Sequence, residues 1–187
     1  MRRFLTAIVL GGLLASMPAW AVEYEDVQVP DSVQLAGQTV PLNGVGLREV
    51  FWVNVYIGGL YLPQKATTPE VAISQDGPKR IAMYFVHDAS LKKVISAWNE
   101  GFSDNNSRQV QDAIRARQAK FNSFDWDLKE GDNVFLDWIP GEGTRVTIKD
   151  KVAGTIEGRD FYDALMRIWL GPEPPGGNLK EGFLRQD

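Results

Sequence analysis

The sequence predicts an α+β protein in which an antiparallel β-sheet carries a layer of helices packed on one face. Its 187 residues, 44% hydrophobic and 24% charged, have the size and composition of one globular domain. Segments typical of strands come first and return after residue 133, whereas helical spacing fills the interval between them and the end of the chain. This order is typical of α+β proteins, and such a layer leaves a slot between helices and sheet for a ligand.

The first half of the chain has the composition of a sheet. Residues 50–62 (VFWVNVYIGGLYL) are rich in β-branched and aromatic side chains and predict one uninterrupted strand. The dipeptide Ala36-Gly37 lies between two short apolar segments, which predicts a hairpin. Residues 63–78 mix turn residues with a short apolar patch and indicate a loose connection. The strands predicted in this half are residues 33–35, 39–40, 50–62 and 80–86.

After residue 87 the apolar spacing becomes helical. Asp88 or Ser90 can cap a helix that ends near residue 102, and Ser107 can cap a second one. The segment 159–170 (RDFYDALMRIWL) is amphipathic and predicts a helix that ends at Gly171. The remaining predicted elements are a meander of strands over 133–138, 144–148 and 151–156, and a short last helix over 178–185.

The N-terminal residues have the pattern of a secretory signal peptide. Arg2 and Arg3 precede a short apolar segment, and Ala19-Trp20-Ala21 matches an A-x-A cleavage site. A spanning helix needs about 20 apolar residues, and this run is shorter. We expect residues 1–21 to be removed and residues 22–187 to form a single periplasmic domain with no membrane span. An uncleaved anchor is the alternative.

Charge and cysteine content exclude several classes of function. Loss of Arg2 and Arg3 takes the 20 basic residues to 18, against 24 acidic residues, for a net charge of −6. We therefore expect no nucleic-acid partner, and no basic cluster is present to hold an anionic membrane. The absence of cysteine removes disulfides, thiol catalysis and thiolate metal sites.

Polar motifs elsewhere give weak chemical signals. His87, the only histidine, precedes Asp88, and the pair is either a base oriented by a carboxylate or a strand end beside a helix cap, which we favour. One histidine without cysteine disfavours zinc. Asp125 and Asp127 are spaced like calcium-loop ligands, but Lys129 occupies the third ligand position. We expect no metal and no cofactor.

Arg48 is the most informative residue. It follows Gly44-Val45-Gly46 and precedes an uncharged run over 50–63. The glycines lack the further elements of a phosphate-binding loop, so they indicate a close-packed strand or bulge, or the close approach of a ligand. Arg48 is either a solvated strand end or an anchor for a carboxylate or enolate, because guanidinium binds planar anions bidentately.

Tyr56 and Asn54 are polar residues inside this run and share the parity of Arg48. Alternatively, they are a packed tyrosine with a satisfied hydroxyl and an edge-facing asparagine. On one straight strand Arg48 and Tyr56 would lie about 26 Å apart, at roughly 3.3 Å per residue. No glycine or proline marks a turn between them, so they share a ligand head group only if the chain reverses or bends around residues 49–51.

The motif Gly44-Val-Gly-Leu-Arg48, followed by residues 55–62 (VYIGGLYL), is similar to the signature of the chalcone isomerase-like superfamily. Later segments fit in order (RIAMYFV, WNEGF, FLDWIPGEGTRVTI and FYDALMRIWLG), so the resemblance covers roughly residues 34–185. It implies an open-faced β-sandwich with a helical layer and an internal ligand slot. The superfamily includes plant enzymes that close a chalcone to a flavanone, plant fatty-acid binders and exported bacterial members, which this chain resembles.

The resemblance also implies roles for residues. In the isomerases, an arginine matching Arg48 stabilises the developing anion; in the fatty-acid binders, that arginine and a tyrosine matching Tyr56 hold a carboxylate. The chain departs from the isomerases, because Tyr56 stands in place of a threonine that orders water and Ile168 in place of a serine or threonine. Candidates near their tyrosine–asparagine pair are Trp98, Phe102 and Asn105.

Three functions fit these observations. The chain keeps the cation Arg48 but has Tyr56 and Ile168 where the isomerases have hydroxyl-bearing residues. This combination favours a non-catalytic periplasmic protein that binds a small hydrophobic carboxylate such as a fatty acid. The alternatives are an isomerase or lyase acting on an enone or phenolate, and an envelope interaction domain with a vestigial slot. The expected ligand-binding residues are Arg48, Asn54, Tyr56, Trp98, Phe102, Asn105 and Ile168.

Overall fold

The computed structural model describes residues 21–24, 26–176 and 178–185. A small hairpin, β1–β2, precedes a curled seven-stranded antiparallel sheet whose strands lie side by side in chain order, from β3 to β9. The strands are β1 Ala21–Tyr24, β2 Val27–Pro30, β3 Ser32–Leu35, β4 Gln38–Val50, β5 Val53–Tyr61, β6 Lys79–Phe85, β7 Asn133–Ile139, β8 Gly143–Ile148 and β9 Lys151–Ile156.

Helices pack on one face of this sheet. The hydroxyl oxygen of Thr68 accepts a hydrogen bond from the Val71 amide, and that of Ser107 accepts one from the Val110 amide, which satisfies free donors at the two helix starts. The helices are α1 Pro69–Ser74, α2 Leu91–Asn105, α3 Arg108–Asn122, α4 Arg159–Leu170 and α5 Leu179–Phe183. The expected α+β class, with a helical layer on one face of an antiparallel sheet, is confirmed.

Both faces of the sheet are apolar. Leu60 and Leu62 belong to the core that the helices cover, whereas Tyr61 between them belongs to a second core on the opposite face. The hairpin β1–β2 contributes to that second core through Val29, and the Tyr61 hydroxyl donates to the Pro30 carbonyl at 2.8 Å. The alternation expected of a strand therefore supplies two separate cores from one segment.

The prediction of one strand over residues 50–62 is wrong. The chain reverses at Phe51 and Trp52, both of which have positive φ (46° and 63°), so β4 ends at Val50 and β5 begins at Val53. Such turns normally use asparagine and glycine, and the aromatic residues here gave no turn signal. The short helix α1 also lies in the segment expected to be loose, and the hairpin β1–β2 was not predicted.

Candidate ligand-binding site

The turn at Phe51 and Trp52 brings the two principal candidate residues together. Antiparallel pairing of β4 with β5 places Arg48 directly opposite Tyr56. Residues opposite each other in such a pair have Cβ atoms about 4.5–5.5 Å apart, instead of the separation of about 26 Å expected for one straight strand. Because Tyr56 belongs to the core under the helices, Arg48 also lies on the helical face of the sheet.

Tyr56 is buried, and its hydroxyl is held in place. The indole Nε1 of Trp169, on α4, donates a hydrogen bond to the hydroxyl oxygen at 2.9 Å. The ring of Phe85 lies 5.4 Å away on the neighbouring strand. Burial raises the pKa of Tyr56, and the smaller opposing effects of the Trp169 hydrogen bond and the Arg48 charge do not reverse it. The residue is thus a neutral phenol whose own hydrogen is still available to an acceptor.

Arg48 is partly exposed at the edge of this site. Its Nη1 lies 3.4 Å from the Glu49 carbonyl oxygen, which is a weak contact. Within the described residues it makes no ion pair with a carboxylate. The loop after α4 approaches it, since a Cβ added at Gly176 would lie 3.3 Å from Nη1. The guanidinium therefore retains most of its donors for an anion.

The glycines before Arg48 serve the packing of a helix. A Cβ added at Gly46 would lie 2.7 Å from the Cα of Leu179, and one added at Gly44 would collide with the Gly182 carbonyl oxygen. The Leu47 amide also donates to Asn178 Oδ1 at 3.0 Å. Strand β4 and helix α5 thus touch backbone to backbone, as the interpretation of a close-packed strand anticipated.

Two candidate residues, Asn105 and Ile168, make contacts that hold parts of the fold together. The Asn105 side chain donates to the Glu173 carbonyl at 2.9 Å and accepts from the Glu173 amide at 2.9 Å, so it holds the loop after α4 against α2. Ile168 is buried, and a Cβ added at Gly101 would lie 2.7 Å from it, which shows how closely α2 and α4 approach. These contacts favour packing roles, and a ligand role for either residue remains a prediction.

Aromatic side chains fill the space between sheet and helices. Trp98 packs edge-to-face against Trp169 at 5.8 Å and against Phe121 at 5.2 Å, and Phe102 lies 5.7 Å from Phe161. Trp98 Nε1 is buried with no hydrogen-bond partner among the described residues. Asn54, at the start of β5, is half-buried opposite Glu49. A ligand tail entering here would have to displace rings from this cluster.

Two surface grooves lie apart from Arg48 and Tyr56. Their volumes are about 340 and 320 Å³, and their linings share Tyr24, Val45 and Arg185. Neither is lined by Arg48 or Tyr56. Given the packed rings of Trp98, Phe102 and Trp169, the candidate site is a polar pair at the rim of an aromatic core.

The Asp88 carboxylate has hydrogen-bond partners other than His87. His87 is exposed, and the Asp88 carboxylate accepts hydrogen bonds from the Glu130 amide and the Lys129 ammonium, 3.0 and 3.2 Å away. Among the described residues no cluster of histidine, aspartate and glutamate could hold a metal ion. Over the same residues, none of the helices has the length and apolar character needed to cross a bilayer.

One contributor to the site was not singled out from the sequence. Trp169 follows Ile168 in α4, and its indole fixes the Tyr56 hydroxyl. The available signal was chemical, because a buried tryptophan needs an acceptor for its N–H and Tyr56 is a polar group inside an apolar strand. The pairing of the two spans 113 residues and is not visible in local sequence.

Comparisons with known proteins agree with the geometry. A family profile described as chalcone isomerase-like matches residues 21–185. The crystal structure of a fatty-acid binding protein from Arabidopsis thaliana superposes with a TM-score of 0.67 at 17% identity, covering 88% of this chain and 96% of that one. No curated protein sequence matches significantly. At this identity the structural likeness establishes the fold.

Proposed function

The chain belongs to the chalcone isomerase-like family, and from this premise we propose that it is a non-catalytic periplasmic protein that binds an amphipathic carboxylate such as a fatty acid. The observation that carries the proposal is the direct pairing of Arg48 with Tyr56 on the helical face of the sheet. Arg48 and Tyr56 bind the head group, and the apolar tail enters between sheet and helices. The signal-peptide pattern of residues 1–21 supports the compartment.

The chemistry of the pair suits a carboxylate. A guanidinium offers two parallel N–H donors to the two oxygens of the anion, and the neutral phenol of Tyr56 adds an O–H donor. The Trp169 indole already occupies the phenol oxygen, so the hydroxyl hydrogen points to another partner. The fatty-acid binding activity named for the Arabidopsis structure is consistent with this chemistry.

The filled core supports a second candidate function. The ring of Trp98 and its aromatic neighbours occupy the space where the tail would lie, and burial of a tail requires them to move. If they do not move, the protein is an envelope interaction domain with a vestigial slot. The pairing of Arg48 with Tyr56 favours the first function, because a vestigial slot has no need for a partly exposed cation directly opposite a buried phenol.

Calorimetric titration with a long-chain fatty acid and the corresponding alcohol tests the proposal. Each buried methylene contributes about 0.8 kcal/mol, so the tail supplies most of the affinity. A charge-assisted bond to arginine adds about 1.5–3 kcal/mol, which is roughly a 10- to 150-fold change in affinity. Arg48→Ala should weaken acid binding by that factor and leave alcohol binding nearly unchanged, and Arg48→Lys should give an intermediate loss.

The matched control is Arg108→Ala, which removes a guanidinium whose side chain is 83% exposed on α3. It should leave both titrations unchanged. Equal acid affinity for wild type and Arg48→Ala would remove the anchor role. No heat from any acid or alcohol would favour the interaction-domain function.

A further inference from the structure

The tip of the β4–β5 hairpin exposes two adjacent large aromatic side chains. Phe51 and Trp52 are 86% and 89% exposed, and the next residue, Val53, is 41% exposed. The other tryptophans in the described part of the chain are all buried: Trp98, Trp126, Trp138 and Trp169. The tip therefore departs from the pattern that this protein otherwise keeps for its aromatic residues.

The backbone at the tip is unfavourable for these residues. Both φ values are positive, a conformation that asparagine and glycine adopt readily and that bulky L-residues avoid. Exposed as they are, Phe51 and Trp52 gain little packing in return. Asn-Gly in the same turn would avoid both the strain and the exposure, so folding does not account for the two aromatic residues.

We propose that this tip inserts into the interfacial region of a lipid bilayer and docks the protein on a membrane surface. Tryptophan favours that region, because its ring is apolar and its N–H can reach water or head groups. The area also fits: two aromatic side chains bury about 300–500 Å², whereas a stable protein interface needs about 800 Å² from each partner. A narrow hairpin tip can insert into fluid lipid, whereas it offers too little area for a stable contact with the surface of another protein.

The docking is apolar in character. The chain is acidic, with 24 Asp and Glu against 20 Lys and Arg, and its basic residues are scattered. Attraction to anionic head groups therefore contributes little, and binding should persist at high salt. Docking at the tip would place Arg48, three residues before Phe51, close to the lipid surface, but the inference holds whether or not Arg48 binds a ligand.

Co-sedimentation of the exported protein with phosphatidylcholine vesicles, free of fatty acid, tests this inference. The principal variant is Phe51→Asn/Trp52→Gly, which removes both rings and installs the preferred turn, so it should fold at least as stably as wild type. The control is Val71→Ser on α1, which removes an apolar side chain 48% exposed at the opposite end of the sheet. Trp52 fluorescence reports directly on the tip, because the other described tryptophans are buried.

We expect wild type and Val71→Ser to bind equally, and the double variant to bind at least about tenfold more weakly. Added vesicles should shift wild-type emission to the blue and protect it from acrylamide. High salt should not weaken binding, and added phosphatidylglycerol should not strengthen it. Equal binding by wild type and the double variant, or no binding by wild type, overturns the proposal. Self-association of wild type that the double variant loses would instead assign the tip to contact between two copies of the chain.

Discussion

Replacing Gly44 with alanine would show what the glycines before Arg48 do. The new methyl group would collide with the Gly182 carbonyl oxygen and would lie 2.8 Å from that of Phe183, so α5 has to leave the strand. Leu179 and Phe183, the first and last residues of α5, are fully buried, and burial of each contributes about 1.5–3 kcal/mol. We therefore expect Gly44→Ala to lower the free energy of unfolding by about 3–6 kcal/mol.

The control is Gly37→Ala at the β3–β4 turn. Gly37 has φ +74°, and a Cβ there meets nothing within 4 Å, so only the backbone cost of about 1–2 kcal/mol applies. Urea unfolding followed by circular dichroism compares the two variants. If α5 is released in the native state, Gly44→Ala should also have a smaller m-value, because less surface remains to be exposed. A loss no greater than that of Gly37→Ala would refute the packing role.

Two further predictions concern pH and export. Lys79 is buried, its ammonium donates to the Ile73 carbonyl at 2.6 Å, and burial lowers its pKa from 10.5 to about 8. Below pH 8 the buried charge lowers the free energy of unfolding by its full cost, at most roughly 3 kcal/mol. Between about pH 8 and 10.5 the unfolded state binds more protons than the folded state, so the stability of wild type should rise with pH. Urea unfolding should show this rise in wild type but not in Lys79→Met. N-terminal sequencing of the exported protein should find Val22 as its first residue, and an intact Met1 would contradict cleavage of the signal peptide.

Local sequence was sufficient where local physics decides the structure. The helix α4 runs over Arg159–Leu170 as expected, because its amphipathic spacing stops at Gly171-Pro172. Ser107 caps α3 through its side chain as expected, because a hydroxyl satisfies a free backbone donor. These elements depend on neighbours within a few residues.

The site depended on partners far along the chain. Arg48 and Tyr56 were each expected to contact a ligand, but their adjacency follows from a turn made by Phe51 and Trp52, against the local preference of both residues. The Asn105 amide meets a backbone 68 residues away, so its structural contacts could not be read from spacing. Strand composition was correctly recognised, whereas the reversal within it required tertiary information.

The chain-order meander of the sheet has a consequence for how the molecule assembles. From β4 onward, each strand pairs with the one before it, so most of the sheet closes through short loops or through helices between consecutive strands. The contact of α5 with β4 is different: Asn43 donates to the Phe183 carbonyl across 140 residues. Contacts between residues far apart in sequence cost more chain entropy to form. We therefore expect α5 to dock last in folding and to detach first in the native state. Its detachment would expose Gly44 and Gly46, beside Arg48, while the sheet stays intact. A ligand head group would then have transient access to this end of the core.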